Sequence, residues 1–294
     1  MNSTETTTSA PHGARVHALV RKGWLTNQHG AWAMMLVPIL VGSILGGFTW
    51  PQALLTFAWL AAFFFFSALG LWIKVGASAR KRTGGKPLDP KRKAAVARRQ
   101  ARYRSALITY ASLAAVGALG LVLIKPDLVV WAPALAVCFG VAVWEMWRDA
   151  DRSFLARASA VMASQLLTPI AFSLGSNPHD WARMWLATAV LTLYFVGTIP
   201  YVKTLIRERG SRAWIRGSIA YHGAVLTVAV VIASVGMLSW WIVALWALLL
   251  VRSVAFPAWS NKLGKPLRPA IVGFTEFAVS TAVVLVLVLP ATLS

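Results

Sequence analysis

Cysteine and negative charge are both scarce in this chain of 294 residues. The one cysteine, Cys138, lies inside an apolar stretch, so no intrachain disulfide can form and nothing points to an oxidising compartment. Its expected role is that of a small buried apolar residue. Asp and Glu number 9 against 29 Lys and Arg, for a net charge of +20. Charged residues make up only 13% of the chain, where a soluble protein carries about a quarter. There is no phosphate-cradling Gly-rich loop, no nucleophile elbow and no Cys/His metal pattern. The first 30 residues lack an apolar core, which argues against a cleavable signal peptide. Their Ser/Thr-rich start, "NSTETTTSA", reads as part of a disordered cytoplasmic tail over residues 1–26.

Long apolar runs are what the chain has instead, with 58% hydrophobic residues. About 20 apolar residues cross a hydrocarbon core of roughly 30 Å. Spans are expected near 31–49, 52–73, 105–124, 128–147, 154–174, 181–201, 216–236, 238–256 and 270–290. A single apolar segment satisfies its own backbone only as a helix, so the expected fold is an all-α integral membrane bundle of nine transmembrane helices, one domain over residues 27–294.

The basic residues sit between these runs rather than along one soluble face, which excludes a nucleic-acid stripe. The segment from Lys74 to Arg104 alone holds twelve. The alternate side of the membrane receives only Lys125 and Arg183. Because Lys- and Arg-rich loops stay inside, the N-terminus is expected in the cytoplasm and the C-terminus outside, with anionic lipids as partners. Tryptophans near the expected span ends fit the same map, with only Trp59 and Trp246 mid-span. In the large basic connection, Gly84, Gly85 and Pro87 break the helix. Asp89 then reads as an N-cap with Pro90 in the first turn of a basic helix that runs into the third span.

Ionisable groups inside a bilayer cost at least about 2.5 to 3.5 kcal/mol and are functional candidates by default. His222 lies six residues past Arg216 and Glu276 six past Ala270, each about 9 Å deep. With His29 they form a candidate catalytic set facing the cytoplasm, and Glu276 has the alternative of a buried pair with a basic residue. Glu145 and Arg252, near their helix ends, are expected to snorkel to water. Gln165 and Thr168 fall nearer the middle of the fifth span. Glu145, Asp149 and Asp151 offer oxygens for a divalent cation, but Arg148 and Arg152 are interleaved and no metal is assigned. An axial haem role for His29 and His222 has no motif behind it. Pro38, Pro169 and Pro200 are potential helix breaks, and Gly42 with Gly46 reads as a small-residue packing pair.

The blocks "NQHGAWAMMLVPILVG" at 27–42, "YFVGTIPYVKTLIRERGSRAW" at 194–214, "AYHG" at 220–223 and "LRPAIVGFTE" at 267–276 resemble signature blocks of the YwiC-like family. That resemblance implies a multipass bacterial membrane protein and brings no reaction with it. More distantly, nine helices with large connections after the second and sixth spans resemble the UbiA prenyltransferase superfamily. UbiA enzymes place Asp-rich, Mg²⁺-binding motifs in both connections. Here residues 74–88 contain no Asp or Glu, and the second connection offers only Glu208, so Mg²⁺ is not expected and no cofactor is identified.

The resemblance implies instead that basic groups hold an anion directly. Asn27, Gln28, Lys74, Lys203, Arg207, Glu208 and Arg209 are the candidate ligand-binding residues, and an isoprenoid or phosphorylated amphiphile is the candidate ligand. On this reading the chain binds its ligand or acts as an intramembrane UbiA-like transferase without the usual diphosphate motifs. A proton-coupled transporter of a small solute, using Glu276 and His222, is the alternative, as is a non-catalytic assembly partner.

Overall fold

The computed structural model describes residues 18–26, 31–84, 86–150, 153–264 and 269–289. Among these the regular structure is helical: α1 (Ala31–Gly46), α2 (Trp50–Arg82), α3 (Pro90–Ile124), a 3₁₀ stretch (Pro126–Trp131), α4 (Ala132–Trp147), α5 (Phe154–Gln165), α6 (Leu167–Ser173), α7 (Trp181–Ile206), α8 (Arg212–Ser234), α9 (Trp240–Lys262) and α10 (Pro269–Val288). Eight helical segments are long and apolar enough to cross a membrane, counting α5 with α6 and the 3₁₀ stretch with α4. The molecule is an all-α integral membrane bundle. α1 is apolar but has 16 residues, about 24 Å of helix, which is shorter than the hydrocarbon core.

α1 is packed on several sides. Its Ile39 joins a core with Leu55 and Ala58 of α2, Leu121 of α3 and Leu167 and Ile170 of α6. Val41, two positions on, joins the second core, built with Leu191 and Tyr194 of α7, Trp246 and Leu249 of α9 and Val283 of α10. Only a strip of Trp32, Leu36 and Leu40, at i, i+4 and i+8, faces outward. Gly42 and Gly46 lie against the backbone of α6, as the small-residue spacing predicts. A Cβ on Gly42 would meet the Thr168 carbonyl, and one on Gly46 would meet the Phe172 carbonyl.

Of the three prolines expected to interrupt spans, one coincides with a break. α5 ends at Gln165 and α6 begins at Leu167. Pro169 has no N–H to offer the Gln165 carbonyl, and its ring crowds that carbonyl. α1 and α7 run through Pro38 and Pro200. At the far end of α6 the orphan carbonyls find side-chain donors. Gln52 Nε2 donates to Ala171 O at 2.9 Å, Lys125 Nζ to Ser173 O at 2.6 Å and Thr49 Oγ1 to Leu174 O at 2.7 Å. Arg183 Nη2 likewise donates to Val288 O, the last residue of α10, at 3.1 Å. The two cations of the sparse side are therefore both spent on helix C-termini, where positive charge complements the helix dipole.

α2 and α3 have 33 and 35 residues, about 50 Å each, so both overrun the hydrocarbon at their basic ends. Arg80 there stacks on Trp147, with Cζ 5.3 Å from the ring centre, and Lys81 Nζ reaches Asp149 Oδ2 at 3.3 Å. Asp89 caps α3 as its sequence position predicts, accepting from Arg92 N at 2.7 Å with Pro90 behind it. Asp89→Ala costs about 1 kcal/mol, and faster amide hydrogen exchange at Lys91, Arg92 and Lys93 is the measurement that checks it.

Candidate functional site

The polar groups of the second core converge on one arginine. Arg252 on α9 is 4% exposed in its side chain and holds Glu276 of α10, 19% exposed, through Nη1 to Oε1 at 2.6 Å. Tyr194 of α7 extends the arrangement, its hydroxyl 2.9 Å from Ser280 Oγ and 3.4 Å from Glu276 Oε2. Tyr201, two turns further along α7, stacks under the guanidinium with Cζ 4.1 Å from its ring centre. Glu276, Tyr194 and Tyr201, from two helices, thus surround a cation carried by a third. The expectation that Arg252 snorkels does not hold, because Glu276 supplies the counter-charge inside. Glu145 is also buried, since Ser153, the N-cap of α5, donates its hydroxyl to Oε2 at 2.5 Å.

The guanidinium is incompletely satisfied. Nε and Nη2 of Arg252 are buried without a hydrogen-bond partner, as is the Tyr201 hydroxyl. Nε and Nη2 form the edge of a guanidinium that takes a carboxylate or phosphate side-on, through two parallel bonds. Buried polar groups are normally paired, and a charged donor in hydrocarbon has most to gain from a partner.

His222 on α8 lies beside this cluster and is 1% exposed. Its Nδ1 sits 2.7 Å from the Ser218 carbonyl. A carbonyl only accepts, so Nδ1 carries the proton and Nε2 keeps its lone pair. Nε2 faces α7 at Gly197, where an added Cβ would stand 3.1 Å from it. Trp246 closes the other side, its ring centre 6.2 Å from the imidazole.

Toward the end of α7, Lys203 Nζ lies over the Trp214 ring at 4.1 Å. Arg209 Nη2 donates to Ser260 O at 3.0 Å, while Arg209 Nε and Ser260 Oγ are buried without partners. Ser260 is eight residues past Arg252 on α9, about 12 Å along the axis. Arg207 is exposed, and Glu208 sits half-buried in the turn that follows α7, its N–H donating to Lys203 O at 2.8 Å. Lys74 belongs to α2, which packs on α3, α4 and α1, whereas α7 packs on α8, α5, α6, α1, α9 and α10. The basic residues that follow Lys74 turn to α4, through the Arg80 and Lys81 contacts.

The sequence-predicted residues therefore divide. His222 and Glu276 come together around Arg252, Lys203 and Arg209 line the end of the same helices, and Asn27, Gln28 and His29 lie outside the described residues. Of the three carboxylates weighed for a cation, Glu145 is taken by Ser153 and Asp149 by Lys81, while Asp151 lies outside the described residues. Tyr194, Tyr201 and Ser280 were not singled out from sequence. Their spacing carried the signal, since Tyr201 is i+7 from Tyr194 and Ser280 is i+4 from Glu276, each pair on one helix face.

Comparison with known proteins agrees with the sequence blocks. A family model described as "YwiC-like protein" matches residues 25–172, which takes in the 27–42 block and leaves the Arg252 cluster C-terminal to it. A Haemophilus influenzae protein described only as uncharacterized is 24% identical over 272 residues, 92% of this chain and 98% of its own. A Bacillus subtilis protein described as uncharacterized protein YwiC is 27% identical over 202 residues, 68% of this chain and 74% of its own. No solved structure matches the chain. With a family match over half its length on an apolar helical bundle, the chain belongs to the YwiC-like family of multipass membrane proteins.

Proposed function

We propose that the second core holds an amphiphile with a carboxylate or phosphate head, and that Arg252 is the group that grips it. The side-on edge of Arg252, buried between the helices with no hydrogen-bond partner, is the observation that carries this reading. The head enters from the basic side of the membrane, taken as cytoplasmic because Lys and Arg concentrate there, past Lys203 and Arg209. The tail lies among apolar helices, and His222, its Nδ1 donating to the Ser218 carbonyl, borders the head with Nε2. An isoprenoid phosphate has the required shape and charge, and the bacterial cytoplasmic membrane is the compartment that fits such a ligand.

Native mass spectrometry of the gently purified full chain tests this. The wild type is expected to retain an anionic amphiphile. The neutral variant Arg252→Gln with Glu276→Gln leaves no buried unpaired charge and is expected to lose it. A wild type that carries no such molecule, or a neutral variant that keeps it, sinks the proposal. So does pH-gradient-driven solute flux in proteoliposomes that persists in the neutral variant.

A further inference from the structure

A second, separate site lies outside the helix core, between the N-terminal segment and α3. Residues 18–21 form a helical turn that ends on Gly23 at φ +79°. Gly23 N bonds to Val20 O at 3.1 Å and Trp24 N to Leu19 O at 3.0 Å, the paired bonds of a Schellman ending, which needs a left-handed residue at the glycine position. The ending turns Arg21, Lys22 and Trp24 toward α3. It is fixed there by the Tyr110 hydroxyl, which donates to Trp24 O at 2.8 Å, and by an edge-on contact of the two rings at 5.6 Å. Gly23 itself fits between Tyr103 and Ala68.

The result is a cleft of about 530 Å³ lined by Ala18, Arg21, Lys22, Trp24, Arg102 and Ser105. Among the described residues three cations, a hydroxyl and an indole line it, and no acidic residue does. Its depth follows from chain length. Counting twenty residues back from Ile124, the end of α3, gives Ser105, which places Ser105 about 30 Å away at the opposite edge of the hydrocarbon. Arg102 is one turn further out, in the layer of lipid phosphates. Ile108, one turn further in along α3, is 56% exposed and faces acyl chains.

From this order of cations, hydroxyl, indole and exposed isoleucine we infer that the cleft binds the phosphate of an anionic phospholipid, with Arg21, Lys22 and Arg102 on the phosphate and Ser105 donating to an ester or phosphate oxygen. The position in the phosphate layer selects a lipid over a soluble phosphate. A second groove of about 500 Å³ continues from Arg102 along α3 past Arg99, Arg98 and Lys91, beyond the reach of a single head group.

The full chain in mild detergent is titrated with phosphatidylglycerol or phosphatidylcholine and read by native mass spectrometry. Phosphatidylglycerol is expected to be retained over phosphatidylcholine. Each basic residue at an anionic lipid surface is worth about fivefold in affinity, so Arg21→Ala with Arg102→Ala weakens retention about twenty-five-fold. Lys91→Ala with Arg98→Ala removes equal charge further along α3 and leaves retention within about twofold of wild type. The Arg252→Gln, Glu276→Gln variant retains phosphatidylglycerol like wild type, which separates this site from the one in the core. Equal retention of phosphatidylcholine, equal loss in the Lys91 and Arg98 variant, or displacement of the lipid by millimolar inorganic phosphate overturns the inference.

Discussion

Arg252→Ala is expected to remove about 3–5 kcal/mol of folded stability, the range for taking one partner from a buried ion pair. The loss comes less from the vanished bond than from what stays behind. Glu276 keeps a carboxylate 19% exposed, with only Tyr194 to donate to it at 3.4 Å, in surroundings built of Leu, Val and Ile. Tyr201 also loses the cation stacked on its ring at 4.1 Å, a contact worth about 0.5–2 kcal/mol. Arg252→Lys keeps the charge but neither the planar stack nor the fork, and falls between alanine and wild type. Arg252→Met with Glu276→Leu removes both charges at similar volume and recovers most of the loss, because replacing a buried pair by apolar residues is often neutral or stabilising. Chemical unfolding in detergent, followed by tryptophan fluorescence, measures all three. If the double variant is as unstable as Arg252→Ala, the pair is not what makes the arginine costly to remove.

Gly46→Ala has the next largest effect. Its added Cβ meets the backbone of Phe172, where no side-chain rotation can make room. α1 and α6 must part along their whole contact, and overpacking of this kind costs about 1–3 kcal/mol or more. Gly42→Ala meets the Thr168 carbonyl and behaves alike. Gly140→Ala is the internal control, because nothing stands within 4 Å of its Cβ. There the better helix propensity of alanine is expected to stabilise by about 0.5–1 kcal/mol. A Gly46→Ala protein as stable as the Gly140→Ala protein would falsify the close crossing.

Much of the architecture was legible because bilayer physics is written in single segments. Span length, the Gly42/Gly46 spacing and the Asp89–Pro90 helix start each depend on a few neighbouring residues, and each reappears in the structure. What a segment could not reveal was partner choice between distant helices. Glu276 and His222 were visible as buried ionisable groups, yet Arg252 was read as a snorkelling side chain because its counter-charge lies 24 residues away on another helix. The same reason hid Tyr194 and Tyr201, which look like ordinary interface aromatics until a guanidinium is placed between them. Lys74 shows the same dependence on distant helices. The UbiA likeness set it opposite Lys203, while helix packing gives α2 to α3 and α4.

The place of α1 between the two cores also sets a schedule for assembly in the cell. α1 leaves the ribosome well before α5, whose Ser164 donates to the Met34 carbonyl and follows it by 130 residues. At about 5–20 residues per second that is a delay of roughly 7 to 26 seconds. Throughout it the Gly42 and Gly46 face of α1 has only lipid or the α2–α3 hairpin beside it, so the helix that finally joins both halves of the bundle is the one that must wait longest with its contact surface unfilled.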